Sequence, residues 1–162
     1  MRQYICFQVG EARYALPLGP VVQVLRFENV TPVPMAPPFV EGILNLGGEV
    51  VPVVNLRSRF GLQRGEPTRR NRVLVVERGG VKHGLLVDGV KEILELEESS
   101  IVVGGPPFQG LKAELIAGIA KVRDSLVIIL EGGRLLEAES SGQPSAGREP
   151  LGGERVDDAE EA

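Results

Sequence analysis

Two copies of a glycine-punctuated hairpin pattern restrict what this chain can fold into more than any other feature. Tyr14 to Leu25 lies without gaps over His83 to Leu94 at an offset of 83 − 14 = 69, and the turns at Gly10 and Gly79 keep that offset. Gly42 to Asn55 lies over Gly118 to Glu131 at 118 − 42 = 76, so a short insertion separates the hairpins of the second copy. A unit of two hairpins plus a short helical connection has the size of a small five-stranded barrel of the OB or SH3 kind. The expected class is therefore all-β: two small five-stranded SH3/OB-like barrels from an internal duplication, with short helical connections. The repeats cover about residues 1–67 and 68–138, and 162 residues suffice for one domain or two very small ones.

Local chemistry agrees with the repeat. Gly47-Gly48 separates two apolar runs, and paired glycines reach positive φ without a Cβ clash, so Gly42 to Val54 reads as a hairpin. Asn55 can cap a helical turn over Leu56 to Phe60, which Gly61 would end in a left-handed conformation. Tyr4 to Val9 alternates, with Ile5, Phe7 and Val9 on one face, and is expected to be a half-buried strand. Tyr14, Leu16 and Leu18 form the next, stopped at Gly19-Pro20. Val21 to Phe27 fits either a helical turn or a strand. Four prolines, Pro32, Pro34, Pro37 and Pro38, force an extended path, and Gln63 to Asn71 reads as a polar linker. Val73 to Glu77 and Val81 to Val87 form the second copy's first hairpin. An amphipathic piece, Gly133 to Ala138, should close the second unit, and residues 139–162 have the composition of a disordered acidic tail.

Several functions are disfavoured by counting. A net charge of −4, a pI near 5.2 and an aromatic content of 4% oppose a nucleic-acid surface. The densest basic run, Arg69-Arg70-Asn71-Arg72, reads as a solvated loop. No apolar run approaches the roughly 20 residues needed to span a bilayer, and no signal arrangement opens the chain, so a cytoplasmic location without membrane insertion is expected. Cys6 is the one cysteine and sits in an apolar strand, so it reads as a small buried hydrophobe. With a single histidine, His83, there is no cluster for a metal, and no cofactor is expected. His83 reads as a strand-surface side chain, Asp88-Gly89 as an Asx turn, and Glu95, Glu97 and Glu98 as a solvated face. The glycines match no phosphate-cradling spacing, so the chain is not expected to be an enzyme. Binding remains. Two adjacent barrels leave an apolar groove, and Val21 and Val24 correspond through the repeat to Val90 and Ile93 beside it, or within the inter-barrel core.

The motifs Pro37-Pro38-Phe39-Val40-Glu41-Gly42-Ile43-Leu44-Asn45-Leu46, Gly48-Glu49-Val50-Val51-Pro52-Val53-Val54 and Leu56-Arg57, with Gly84-Leu85-Leu86-Val87-Asp88-Gly89-Val90, resemble the CheW family of chemotaxis coupling proteins. The likeness runs from about Arg2 to Ala138. It implies a CheW-like domain over 1–138 with strands exchanged between two small barrels. It also implies a non-catalytic adaptor that joins the cytoplasmic tips of methyl-accepting chemoreceptors to the regulatory domain of the histidine kinase CheA. Carried over by motif position, receptor or kinase contacts would fall on Val21, Gln23, Gly42, Gly47, Gly84, Val90 and Ile93. Relatives usually carry an arginine where this chain has Gly47, an acid where it has Gln23 and an aspartate where it has Asn55. The missing arginine and acid are expected to have been partners lost together, since one desolvated charge left alone is costly. Two alternatives stand beside this reading: a coupling protein of a non-flagellar chemosensory pathway, and, from another class, an OB-type oligonucleotide-binding module.

Overall fold

A computed structural model describes residues 1–103 and 115–135. The first repeat contributes β1 (Arg2–Val9), β2 (Ala12–Pro17), β3 (Val21–Arg26), β4 (Val40–Leu46), β5 (Glu49–Asn55) and the helical turn α1 (Leu56–Arg59). The second contributes β6 (Arg72–Arg78), β7 (Val81–Val87), β8 (Gly89–Leu96), the short β9 (Val102–Val103), β10 (Ile116–Val122), β11 (Ser125–Leu130) and α2 (Gly132–Leu135). Val21 to Arg26 is thus a strand, and the helical alternative falls away. The acidic segment 139–162 and the end of the expected closing piece, 136–138, lie outside the described residues.

The strands form two sheets, ordered β8-β1-β2-β11-β10-β9 and β3-β6-β7-β5-β4. Each sheet is built from both repeats. The hairpin β1–β2 of the first repeat sits among β8, β10 and β11 of the second, while β6–β7 of the second sits among β3, β4 and β5 of the first. The exchange is reciprocal, and each sheet has one parallel seam, β2 with β11 and β7 with β5. Registers repeat with the sequence: Phe7 faces Val90 as Val76 faces Val21, and Ala15 faces Ile129 as Gly84 faces Val53.

Three cores follow from this arrangement. The central one lies between the sheets, where Ile5, Phe7, Leu16, Ile128 and Leu130 meet Val54, Leu74, Val76, Leu85 and Val87. Tyr4, Cys6, Ala15, Leu94, Val127 and Ile129 fill the opposite face of the first sheet, and Leu44, Val51, Val53, Val73, Val75 and Leu86 that of the second. β1 is accordingly buried on both faces, with Tyr4 and Cys6 packed as tightly as Ile5 and Phe7, so the half-buried expectation is corrected. The same two-sided burial explains the unbroken apolar runs of β6 and β11.

Local signals operate as their chemistry dictates. Gly47 (φ 60°) and Gly48 (φ 92°) make the β4–β5 turn, and the Gly48 N–H donates to Asn45 Oδ1 at 2.8 Å. The Asn55 side chain accepts from Ser58 N–H at 3.2 Å, capping α1, and Gly61 leaves the turn at φ 84°. At Gly42 a Cβ would meet the Thr31 carbonyl oxygen at 2.2 Å, and at Gly118, its repeat mate, the Val102 carbonyl oxygen at 2.7 Å. Both glycines sit beside register shifts in β4 and β10 where a neighbouring backbone closes in.

Candidate functional site: the clefts between the sheets

The first β-strand edge of each repeat-exchanged sheet, β3 and β8, carries the apolar residues singled out from sequence. Val21 and Val90 turn inward and pack on the central core. Val24 and Ile93 remain 44% and 48% exposed at equivalent places. Gln23 is exposed on β3, and Gly47 is exposed at the β4–β5 tip with nothing within 4 Å of a Cβ placed there. Gln23 lies on β3 and Gly47 directly follows β4, strands at opposite ends of the strand order. Leu25 and Phe27 on the β3 side and Leu44 and Leu46 on the β4 side nonetheless belong to one core cluster on this sheet's outer face. Gly42 and Gly84 are buried. A Cβ at Gly84 would meet Val73 Cγ1 at 2.7 Å, so close packing accounts for both glycines.

Two clefts open where the sheets meet, and the repeat relates them. One, of about 610 Å3, is walled mainly by apolar side chains, Leu16 and Leu130 from the first sheet and Val76 and Leu85 from the second, and is also lined by Pro20 and by the charged Arg2, Arg78, Glu98 and Glu131. The other, of about 380 Å3, contains Asp88 and Gly89, which match Gly19 and Pro20, together with Arg57 on α1. In this second cleft the guanidinium of Arg57 binds Asp88 twice, Nε to Oδ1 at 2.9 Å and Nη2 to Oδ2 at 2.8 Å. Asp88 Oδ2 also accepts from the Gly10 N–H at 2.8 Å. Asp88 is therefore not closed on itself in an Asx turn: its carboxylate ties α1, the β1–β2 turn and the β7–β8 junction together. The Arg57 guanidinium is held above its usual pKa first by this hydrogen bond. In the apolar cleft the matching positions are Gly19 and Gly133, so sequence supplies no such clasp there.

A second polar chain runs beside the clasp. Asn55, 5% exposed, donates through Nδ2 to Glu41 Oε1 at 3.0 Å, and Glu41 in turn pairs with Arg64. An aspartate at 55 would cap α1 equally but could not donate to Glu41, which gives the asparagine a local reason. Neither chain was visible from sequence, because Arg57 and Asp88 stand 31 residues apart and meet only through the exchanged hairpin. The one available signal was an acid at 88 where the first repeat has glycine.

His83 is also placed differently from expectation. It shares a face of β7 with Leu85 and Val87, which turn to the central core, and its Nδ1 is shut from solvent without a hydrogen-bond partner among the described residues. Burial holds its pKa below the usual value. Cys6 is buried, and desolvation raises its thiol. Among the described residues no three His, Cys, Asp or Glu side chains converge as metal ligands, and no helix is long and apolar enough to cross a membrane.

Comparison with known proteins places this geometry. Residues 3–140 match the family model described as the CheW-like domain. The crystal structure of scaffolding protein TtCheW from Thermoanaerobacter tengcongensis superposes with a TM-score of 0.78 at 34% identity, covering 86% of this chain and 90% of that one. Chemotaxis protein CheW of Helicobacter pylori is 31% identical over 137 residues, 85% of this chain and 82% of the relative. Protein FrzA of Myxococcus xanthus is 33% identical over 123 residues, 74% of each.

Proposed function

Because the chain belongs to the CheW family of scaffold and adaptor proteins, we propose that it joins the cytoplasmic tips of methyl-accepting chemoreceptors to the regulatory domain of a CheA histidine kinase. In this reading residues 1–138 act as one CheW-like unit, located in the cytoplasm and recruited to membrane-bound receptor arrays. The observation that carries it is the mainly apolar cleft of about 610 Å3 between the sheets, whose lining residue Pro20 leads into β3 with Val22 and Val24 exposed at 47% and 44%. An apolar trough beside an exposed strand suits the apolar face of a helical hairpin. Gln23, Gly47 and Ile93 would flank the contact, while Gly42 and Gly84 would shape the strands that present it.

The family assignment displaces the oligonucleotide-binding alternative. Coupling in a non-flagellar chemosensory pathway stays as the second reading, favoured by the similarity to FrzA and by Gly47 and Gln23 at positions where relatives carry charges.

The direct test is co-precipitation of the purified chain with a receptor tip and with a kinase regulatory domain, at low and at moderate salt. Val24→Asp and Ile93→Asp lie on exposed positions and should leave thermal unfolding unchanged while weakening receptor capture at least tenfold. Binding of the parent chain to neither partner at either salt concentration would end the adaptor reading.

A further inference from the structure

Positive charge is concentrated at one end of the second sheet. Arg26 and Arg72 are direct cross-strand partners of β3 and β6, a like-charge pair that disfavours the ladder unless an anion lies near. Between them and β8 stands a built turn. The Thr68 N–H donates to Asn71 Oδ1 at 2.9 Å, the Arg70 N–H to Thr68 Oγ1 at 3.2 Å, and Asn71 Nδ2 to the Asp88 carbonyl at 3.2 Å. Arg72 Nη1 donates to the carbonyls of Arg69 and Asn71 at 2.7 and 2.8 Å. The turn thus presents Arg69 and Arg70, both exposed, in fixed positions. Arg26, Arg69 and Arg72 line one cleft with Phe27 and a single acid, Glu28, and Arg70 and Lys91 line the adjoining one, which shares Phe27 and the turn and also holds Glu66, Glu41 paired with Arg64 and Asp88 paired with Arg57. None of these five cations meets a carboxylate within ion-pair distance among the described residues.

The complementary charge lies in the same chain. Residues 139–162 hold seven acids and two arginines, a net −5, so residues 1–138 are left at +1 of the overall −4. Four of those acids, Asp157, Asp158, Glu160 and Glu161, fall within five positions. The chain leaves the described residues at Leu135, whose carbonyl accepts from Arg59 Nε at 3.4 Å. Arg59 belongs to α1, the turn whose Arg57 lines the cleft with Arg70. Exit point and basic surface are therefore built on one element. From Leu135 to Asp157 is 22 residues, which span about 25 Å even as an unstructured chain.

We propose that this basic surface is the docking site of the chain's own acidic segment, with the run Asp157–Glu161 seated against the Arg69-Arg70 turn. The segment screens the Arg26–Arg72 pair and occupies a surface that an acidic partner would otherwise take. Such docking acts between charges at the surface and weakens with salt.

The experiment uses the full chain with a nitroxide at Ala159→Cys; buried Cys6 does not compete for the label. At 25 mM salt, amide signals of residues 26–28 and 68–72 should broaden several-fold more than those of the β10–β11 turn at Arg123-Asp124. The difference should disappear at 500 mM salt and in the Arg69→Glu, Arg70→Glu double variant, whose exposed substitutions leave the cores alone. Neutralising the segment instead (D157N, D158N, E160Q, E161Q) should abolish it without touching the folded part. Even broadening over the whole surface, or broadening indifferent to salt, overturns the proposal. So does equal broadening when spin label and isotope label sit on different chains, because the occupant is then a second copy.

Discussion

Asp88 is the residue whose removal should cost most for its size. Its carboxylate takes two hydrogen bonds from Arg57 and one from the Gly10 N–H, with side chains only 25% and 33% exposed for the acid and the arginine. Charge-assisted bidentate pairs are stronger than neutral bonds, and cutting one leaves unpaired donors behind. Asp88→Ala is expected to lower stability by about 1–3 kcal/mol in urea unfolding, with Arg57→Ala similar and the double variant less than the sum. His83 gives a pH signature. Its folded-state pKa lies below the ordinary 6.5 because burial disfavours the charged ring. The unfolded chain then binds the extra proton first, so the neutral ring's contribution is complete above 6.5 and is lost as pH falls from there through the folded value. The drop in melting temperature between pH 7.5 and 5.5 should shrink in His83→Gln.

At the scale of elements, the hairpins were legible in sequence because turn chemistry is local. Gly47-Gly48, the Asn55 cap and the Gly61 stop each declare themselves within a few residues. What escaped was non-local: burial of β1 on both faces depends on the core on the first sheet's outer face, to which Leu94 and Val127, far along the chain, contribute. His83 turned inward for the same reason. The repeat made the two-unit architecture readable, whereas side-chain pairings across the exchanged hairpins had no sequence counterpart. The β4–β5 turn also carries a prediction. Gly47→Arg has open space but a φ of 60°, so it should cost about 1–2 kcal/mol by itself. If position 47 and position 23 come together across the cluster that Leu25 and Leu46 both pack against, adding Gln23→Glu should return at least ~0.5 kcal/mol in a double-mutant cycle. Strict additivity in both stability and receptor binding removes that idea. By contrast Gly42→Ala, driven into the Thr31 carbonyl at 2.2 Å, should fail to accumulate as folded protein.

For the molecule as a whole, the reciprocal hairpin exchange makes cooperativity obligatory. A fragment of residues 1–67 would hold β3, β4 and β5 without the β6–β7 pair that joins β3 to β5, and β1–β2 without any sheet neighbour. Circular dichroism of that fragment should show a largely unfolded chain, and the intact protein should melt in one transition. Two separate transitions would contradict a shared central core. The exchange also sets a timetable for biosynthesis. The second sheet has all its strands once Val87 has left the ribosome, but β1–β2, made first, must wait for β11, which ends at Leu130. The oldest strands of the nascent chain are thus among the last to be paired on both sides, and their apolar faces are the ones a cell's chaperones would meet.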